Sequence, residues 1–480
     1  MNRRAQQRQA VPSTPAMVSN VKRPQLIGFL VLWALSAWPQ SAAAQVSPET
    51  QAQIAAYIEQ SRALAVAYDA RPRPDPYADL RAQSARLTAD QRAQAQALFS
   101  SAFSVWRAED YAAAELGFRE GLAIDPANGS ANFYLGDILR RRSDGNAAAD
   151  YMARAAAFAP GSAEGLRARA ALDSLPPPPD PEINSPPAIF APPGDPIIFR
   201  DCADCPEMVV VPLGRYTMEE TRADTPRGRE QRRRITISRP FAVGRFEITR
   251  GQFAVFARET RRTLNSDCQP HWTGEPSGSW MSPNFSTSPG FQQTDDHPVT
   301  CVSWPDAQAY VRWLNTRTGG RYRLLSESEW EYAARAGEIE RTPWVNDADA
   351  CRAANSADAA LHSVWSRTSW RMRECNDGAA FTAPVGSYEA NAFGLFDVLG
   401  NVNEWTQDCE TTMAFVPTDG SANELNGDWA PAQHLPCGAR RFRGGAWSDE
   451  AEWVYLSSRR FDEPNRRTKE TGFRVAESLE

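Results

Sequence analysis

The sequence predicts a multidomain protein: an N-terminal all-α region of helical repeats, then an α+β domain with long loops. Three observations carry this. Residues 48–173 are dominated by Ala, Leu, Arg and Gln, with apolar positions at helical spacing. Pro176–Pro196 reads PPPPDPEINSPPAIFAPPGDP. Proline that dense fits neither helix nor sheet and makes a semi-rigid extended linker. Beyond Phe199 the chain turns to short β-branched runs, capped helix starts and Gly/Asn/Asp-rich stretches. We therefore place the helical domain at 45–173, the linker at 174–198 and the second domain at 199–480.

The helical region carries an internal echo. Ala112–Pro126 (AAAELGFREGLAIDP) matches Asn146–Pro160 (NAAADYMARAAAFAP), and the two prolines are 34 residues apart. That is the tetratricopeptide period. Asn132–Gly136 (NFYLG) supplies the first-helix signature of the second unit. About two such repeats are expected, preceded by helices near 49–68 and 76–106. Stacked helix pairs form a concave surface that holds a peptide or partner protein. A plain helical spacer would show the same pattern.

In the second domain Met208–Pro212 and Arg234–Ser238 read as strands. Three capping boxes announce helices. Thr249-Arg-Gly-Gln252 opens one to about Arg258. Ser303-Trp-Pro-Asp306 opens one to about Asn315, with Pro305 in the first turn, where its missing N–H costs nothing. Ser326-Glu-Ser-Glu329 opens one that stops at Gly337. A domain so low in regular structure needs staples, which disulfides and metal ions supply.

A formal net charge of −7 and a pI near 5.5 argue against a nucleic-acid binder, since they imply no broad basic surface. The basic run Arg227–Arg234 (RGREQRRR) reads as a solvated loop. Residues 1–44 combine a basic start, the apolar run Leu26–Trp38 and the small-residue stretch Ser41–Gln45. This describes a secretory signal cleaved after Ala44, or an uncleaved membrane anchor. The run is short for a membrane span. Either way the mature chain is expected outside the cytoplasm, touching a membrane only if the segment is retained.

All eight cysteines fall between Cys202 and Cys437. An even count in an exported protein suggests disulfides. Neighbours in sequence suggest Cys202–Cys205, Cys268–Cys301, Cys351–Cys375 and Cys409–Cys437, although sequence alone does not fix connectivity. Cys202-Ala-Asp-Cys205 could be redox-active or half a zinc site. It lacks both the βαβ context and two further ligands, so a structural loop is the better reading.

Six segments resemble the sulfatase-modifying-factor family, whose namesake is the formylglycine-generating enzyme. They are Phe241–Thr249 (FAVGRFEIT), His297–Trp304 (HPVTCVSW), Tyr322–Arg335 (YRLLSESEWEYAAR), Gly394–Trp405 (GLFDVLGNVNEW), Arg443–Trp447 (RGGAW) and Gly472–Ala476 (GFRVA). They occur in the family's order over about residues 200–477. The resemblance implies a mixed α/β fold related to C-type lectins. It also implies two calcium sites. The first would use the side chain of Asn355, the carbonyl of Ser356, the side chain of Asp377 and the carbonyl of Ala379. The second would use the side chains of Asp397 and Glu404, with the carbonyls of Gly400 and Val402. Carboxylates mixed with backbone carbonyls in Gly-containing loops suit calcium, which takes six to eight oxygens.

The family's reactive residues do not carry over. In the formylglycine-generating enzyme a cysteine pair after the R-G-G motif binds copper(I), and one cysteine reacts with the substrate thiol. The matching positions here are Asp449 and Val454. The family's serine after the two glycines is Ala446, and the tryptophan between the second site's calcium ligands is Asn403. Neither Asp nor Val replaces a thiolate as a soft-metal ligand or nucleophile, so copper is not expected. The iron-dependent sulfoxide synthases of the family need an H-x3-H-x-E pattern. His271, His297, His362 and His434 do not supply it.

These residues favour a binding module over an enzyme. A frame stapled by calcium and disulfides would present a groove to a peptide, glycan or protein, with the helical repeats as a second docking surface. Groove candidates are Asn403, Ala446, Asp449 and Arg459. Asp449, Glu450 and Glu452 form an acidic cluster there, rimmed by Arg440, Arg441, Arg443, Arg459 and Arg460. The alternative is an enzyme of altered chemistry, such as oxidative maturation of an exported peptide or siderophore. Formylglycine generation ranks last. The long aromatic insert Leu264–Phe291 is expected to line the groove.

Overall fold

A computed structural model of the chain describes residues 46–71, 75–175, 185–220, 231–262, 268, 291–365, 371–411, 415–424 and 437–480. The predicted signal or anchor, the proline run over 176–184, the first half of the basic run and most of the aromatic insert lie outside the described residues.

The N-terminal helices are α1 (Pro48–Asp69), α2 (Ala78–Ala85), α3 (Ala89–Arg107), α4 (Tyr111–Ile124), α5 (Gly129–Arg141), α6 (Gly145–Phe158) and α7 (Ala163–Leu172). The single helix expected over 76–106 is two. Thr88 restarts the helix through a capping box: its hydroxyl accepts from Gln91 N–H, and Gln91 Oε1 accepts from Thr88 N–H. Two otherwise orphaned donors are thereby satisfied, which makes Thr88 a helix start.

The 34-residue spacing recurs in the turns. Glu109 and Ser143 adopt positive φ, 66° and 61°. Asp110 and Asp144 then cap α4 and α6, and Asn128 and Ser162 cap α5 and α7. Each pair is 34 residues apart. Helices α3 with α4, and α5 with α6, pack as antiparallel neighbours around Phe99, Phe118, Leu122, Leu135 and Ile138. Gly121 permits the first close approach, since a Cβ there would overlap the Phe99 ring.

The second domain runs β1 (Ala188–Ile189), β2 (Ile198–Phe199), β3 (Met208–Val211), β4 (Gly214–Glu220), β5 (Gln231–Ile237), β6 (Phe241–Gly244), α8 (Arg250–Thr260), α9 (Trp304–Thr318), β7 (Tyr322–Leu324), α10 (Glu327–Arg335), α11 (Asp347–Ala353), α12 (Ala359–Val364), β8 (Asn403–Cys409), β9 (Arg440–Arg443), β10 (Arg460–Asp462), β11 (Thr471–Gly472) and β12 (Val475–Ser478). Helices α8, α9 and α10 start at the three predicted capping boxes. They stop at left-handed residues Arg261, Gly319 and Ala336.

A five-stranded sheet, β2-β3-β6-β12-β7, divides the domain. Strands β3 and β6 are buried along their whole length, so alternate residues enter different cores. Val209, Val211, Phe241 and Val243 join Trp330 and Tyr332 of α10 on one side. Met208, Val210 and Ala242 join Phe253 of α8 and Tyr310 of α9 on the other. A four-stranded sheet, β10-β9-β8-β11, and a three-stranded sheet, β1-β4-β5, complete the domain.

The four disulfides are Cys202–Cys205, Cys268–Cys301, Cys351–Cys375 and Cys409–Cys437. Each joins the neighbours in sequence that were expected. Among the described residues no helix is long and apolar enough to cross a membrane.

Asn128 accepts from Ala131 N–H at the start of α5. Replacing it with Ala should lower the stability of the helical region by about 1 kcal/mol. Urea unfolding followed by circular dichroism measures this, and an unchanged midpoint would refute the cap.

Candidate functional site

Left-handed backbone brings the site together. Asp397, Gly400 and Asn401 precede β8 with φ of 54°, 78° and 56°; Gly444 and Gly445 follow β9 with φ of 99° and 81°. Such values come freely to Gly and are tolerated by Asn and Asp. The turned segments then meet. Gly400 N–H donates to Gly444 O (3.1 Å), Asn401 N–H to Asn355 O (2.8 Å) and Trp447 N–H to Asn401 O (3.0 Å). The Asn401 side chain ties in two more segments, accepting from Ala383 N–H (2.9 Å) and donating to Glu247 Oε1 (3.0 Å).

In the first predicted donor set, Asp377 links the two segments. Asp377 accepts from Ser356 N–H (3.2 Å) and Ala379 N–H (2.8 Å). Asn355 is fully buried; its amide nitrogen donates to Phe381 O (2.8 Å), while Oδ1 has no partner. Burial pushes the Asp377 carboxyl up to about 7. A buried orphan acceptor beside a carboxylate that resists ionising is a place that favours a cation.

The second set is more crowded. Asp397 accepts from Gly386 N–H on Oδ2, and its buried Oδ1 has no partner. Glu404 is already engaged: Arg474 donates to both its oxygens (2.7–2.9 Å), and Trp330 Nε1 donates to Oε2 (2.7 Å). Sequence reasoning did not assign roles to Glu247 or Arg474, although both lie in the family segments. Glu247 Oε2 is a further buried acceptor without a partner. Burial and then the nearby Asp397 push Glu247 well above the usual carboxylate range. Three buried carboxylates thus share one guanidinium. The free Asp397 oxygen suits a hard cation, while Glu404 could join only through its remaining lone pairs. Among the described residues no cluster of three or more His, Cys, Asp or Glu side chains is arranged to hold a metal without carbonyl help.

The groove candidates separate. Asp449 is 1% exposed; Oδ2 accepts from Ala446 N–H (2.8 Å) and Arg460 Nη1 (2.6 Å), while Oδ1 has no partner. Both polar atoms of the Asn403 amide and Ser448 Oγ are likewise buried without partners. Trp447 Nε1 donates to Lys469 O (3.4 Å) and Asn403 N–H to Glu470 O (2.7 Å). Segments 401–403, 446–449 and 469–471 therefore meet. Phe291 stacks on Phe381 at 4.5 Å, and Trp447 meets both edge-on. Ala446 is buried, and Val454 lies in the apolar core against Gly445. All eight cysteines are disulfide-bonded, so none offers a thiol.

Arg459 is not on a groove rim. It is 4% exposed and donates to Glu327 through Nε and Nη2 and to Glu220 through Nη1, all at 2.8 Å. Arg443 is equally buried and pairs with Glu331. The acidic cluster also divides, for Asp449 is buried, Glu450 is half-buried and Glu452 is exposed. A charge-rich sequence reads as a surface, yet these arginines face buried glutamates on α10.

Against the upward push of burial, Arg459 holds Glu327 down to about 2, below its ordinary 4.5. The folded state binds the ionised form better. The resulting stability is present above pH 4.5 and should fade as pH falls from 4.5 towards 2. Arg459→Met should cost about 3–5 kcal/mol in chemical denaturation by leaving buried charge unpaired; a loss under 1 kcal/mol would count against the network. Gly400→Ala should also destabilise strongly, because φ is 78° and a Cβ would overlap the Asn355 carbonyl. A thermal midpoint equal to wild type would contradict that geometry.

Residues 196–479 match the family described as the sulfatase-modifying factor enzyme 1-like domain. The formylglycine-generating enzyme of Mycobacterium tuberculosis is 31% identical over 249 residues, 44% of this chain and 75% of that protein. That of Thermomonospora curvata is 29% identical over 303 residues, 56% of this chain and 92% of that protein. The inactive C-alpha-formylglycine-generating enzyme 2 of Mus musculus is 27% identical over 309 residues, 58% of this chain and 87% of that protein. Among solved structures, PvdO from Pseudomonas aeruginosa superposes with a TM-score of 0.49 at 31% identity, over 60% of this chain and all of that one. Because the family model spans residues 196–479, more than half of its length, the chain belongs to the sulfatase-modifying factor family.

Proposed function

We propose that this chain is an exported binding or scaffold module, stabilised by calcium, that holds a peptide, glycan or protein partner and does not generate formylglycine. One observation carries the reading. At the positions matching the family's copper cysteines stand Asp449, tied to Arg460, and Val454, sealed in the apolar core. Every cysteine elsewhere is locked in a disulfide, so neither copper(I) ligation nor attack by a thiolate has a residue to perform it. The unpartnered polar atoms of Asn403, Ser448 and Asp449 suit a site that hydrogen-bonds a ligand. A relative at 27% identity is named an inactive C-alpha-formylglycine-generating enzyme 2, which supports the part of the reading that excludes formylglycine generation.

The helical array is read as tetratricopeptide-like because its caps and turns repeat every 34 residues. It would give the partner a second surface. The second domain is read as related to C-type lectins. Four disulfides support export. Calcium would be held by Asn355, Ser356, Asp377 and Ala379, and by Asp397, Gly400, Val402 and Glu404. It would neutralise the buried carboxylates and rigidify both loops.

Aerobic incubation of the calcium-loaded protein with a Cys-x-Pro-x-Arg peptide and copper(I), read by mass spectrometry, should leave the peptide cysteine unchanged. Conversion to formylglycine would overturn the reading. Chelation should lower the thermal midpoint of the second domain, readded calcium should restore it, and Asp377→Ala should diminish the gain. A midpoint indifferent to chelation would remove calcium from the account.

A further inference from the structure

Helix α1 was assigned by sequence to the helical region, but its buried face packs on the second domain. Val46, Ile54 and Tyr57 rest against the core formed by α8, α9 and the central sheet. Ile58 and Ser61 are the buried residues of the helix. Ser61, 1% exposed, accepts from Leu213 N–H at 3.0 Å. At the end of α1, Tyr68 meets the Phe190 ring at 5.4 Å, and Asp69 takes both ends of the Arg215 guanidinium at 2.7 Å. Arg62 pairs with Glu480.

The chain returns to the same place after the helical array. Ala188 and Ile189 of β1 pair with Arg215 and Gly214 of β4. Phe190 N–H donates to Leu213 O at 2.9 Å. Leu213 therefore offers its N–H to the outgoing helix and its carbonyl to the returning strand. Arg215 holds Asp69 on the outgoing side and pairs with Ala188 on the return. Residues Leu213–Arg215 thus hold the end of α1 on one side of the α2–α7 array and β1 on the other; Ser185, just before β1, also accepts from Arg234 Nη1 at 3.1 Å.

We propose that Leu213–Arg215 is an intramolecular clasp that pins both ends of the helical array to the family domain and so fixes how the array is presented. A free domain on a single proline tether would sample many orientations. Two anchors at one point restrict it to motions about that base, so a partner touching both the array and the site meets a defined span. That last consequence rests on the binding reading; the clasp itself does not. The Arg215–Asp69 pair is the adjustable part. Asp69 is half-exposed, so the pair is open to screening by salt, whereas the Ser61–Leu213 bond is shielded.

Hydrogen exchange by mass spectrometry on the full chain tests this. In the wild type, α1 should be protected over Arg62–Asp69. Arg215→Asp should speed exchange there about 10-fold or more while leaving α5 and β6 unchanged. The charge-swapped pair Asp69→Arg with Arg215→Asp should restore protection. Fluorophores on α6 and α9 should show a broader distance distribution in Arg215→Asp and recovery in the swap. Unprotected α1 in the wild type, no effect of Arg215→Asp, or no recovery in the swap would overturn the clasp. So would a uniform rise across α1, α5 and β6, which would mark Arg215 as a general fold contact.

Discussion

The buried ion pairs between α10 and two arginines, one at the end of β9 and one just before β10, are the constraint on which the site depends. Glu327 and Glu331 lie four residues apart, on one face of α10. Glu327 takes Arg459, which also holds Glu220 of β4, and Glu331 takes Arg443 at the end of β9. Taking these charges out of water is costly, and only close pairing offsets it. Charged partners held this way have few alternative positions. Arg443 immediately precedes Gly444 and Gly445, so fixing its guanidinium fixes where the left-handed turn begins. The segment carrying Ala446, Ser448 and Asp449 is placed by that turn.

A second polar hub completes the frame. Asn401 touches the Glu247, Asn355 and Ala383 segments at once. Trp330 and Arg474 engage both oxygens of Glu404, from α10 and from the residue before β12. The two loops with predicted calcium ligands are thus held by direct hydrogen bonds within the protein. Among the buried polar groups without partners, those at these loops are Asn355 Oδ1, Asp397 Oδ1, Asn403, Ser448 and one oxygen each of Asp449 and Glu247. Others lie elsewhere, such as Trp106 Nε1 and Asn132 Oδ1 in the helical array and Tyr310 Oη in α9, so the site is one of several places where buried polar groups lack partners.

Much of the second domain was legible because its signals are local. A capping box needs only the hydroxyl and the side chain three residues on, so α8, α9 and α10 could be started from the sequence. Cysteines close in sequence cost little loop entropy to join, and each found its neighbour. The break at Thr88 was equally local, and Thr88-Ala-Asp-Gln91 was a capping box that the longer periodic pattern concealed. Arg459 was not legible. Its charged surroundings resemble a solvated rim, and nothing in the linear pattern says that Glu327, far earlier in the chain, turns inward to meet it.

The sequence by itself determined the family frame, the helix starts and the 34-residue period. These are properties of residue type and short spacing. Only the tertiary structure decided that α1 belongs physically to the second domain, that Arg459 is an internal strut and that Glu247 joins the carboxylates at the second loop. Each depends on which distant surface completes a half-satisfied group. An apolar helix face, a guanidinium or a carboxylate shows in sequence that it needs a partner; only folding brings the partner within reach.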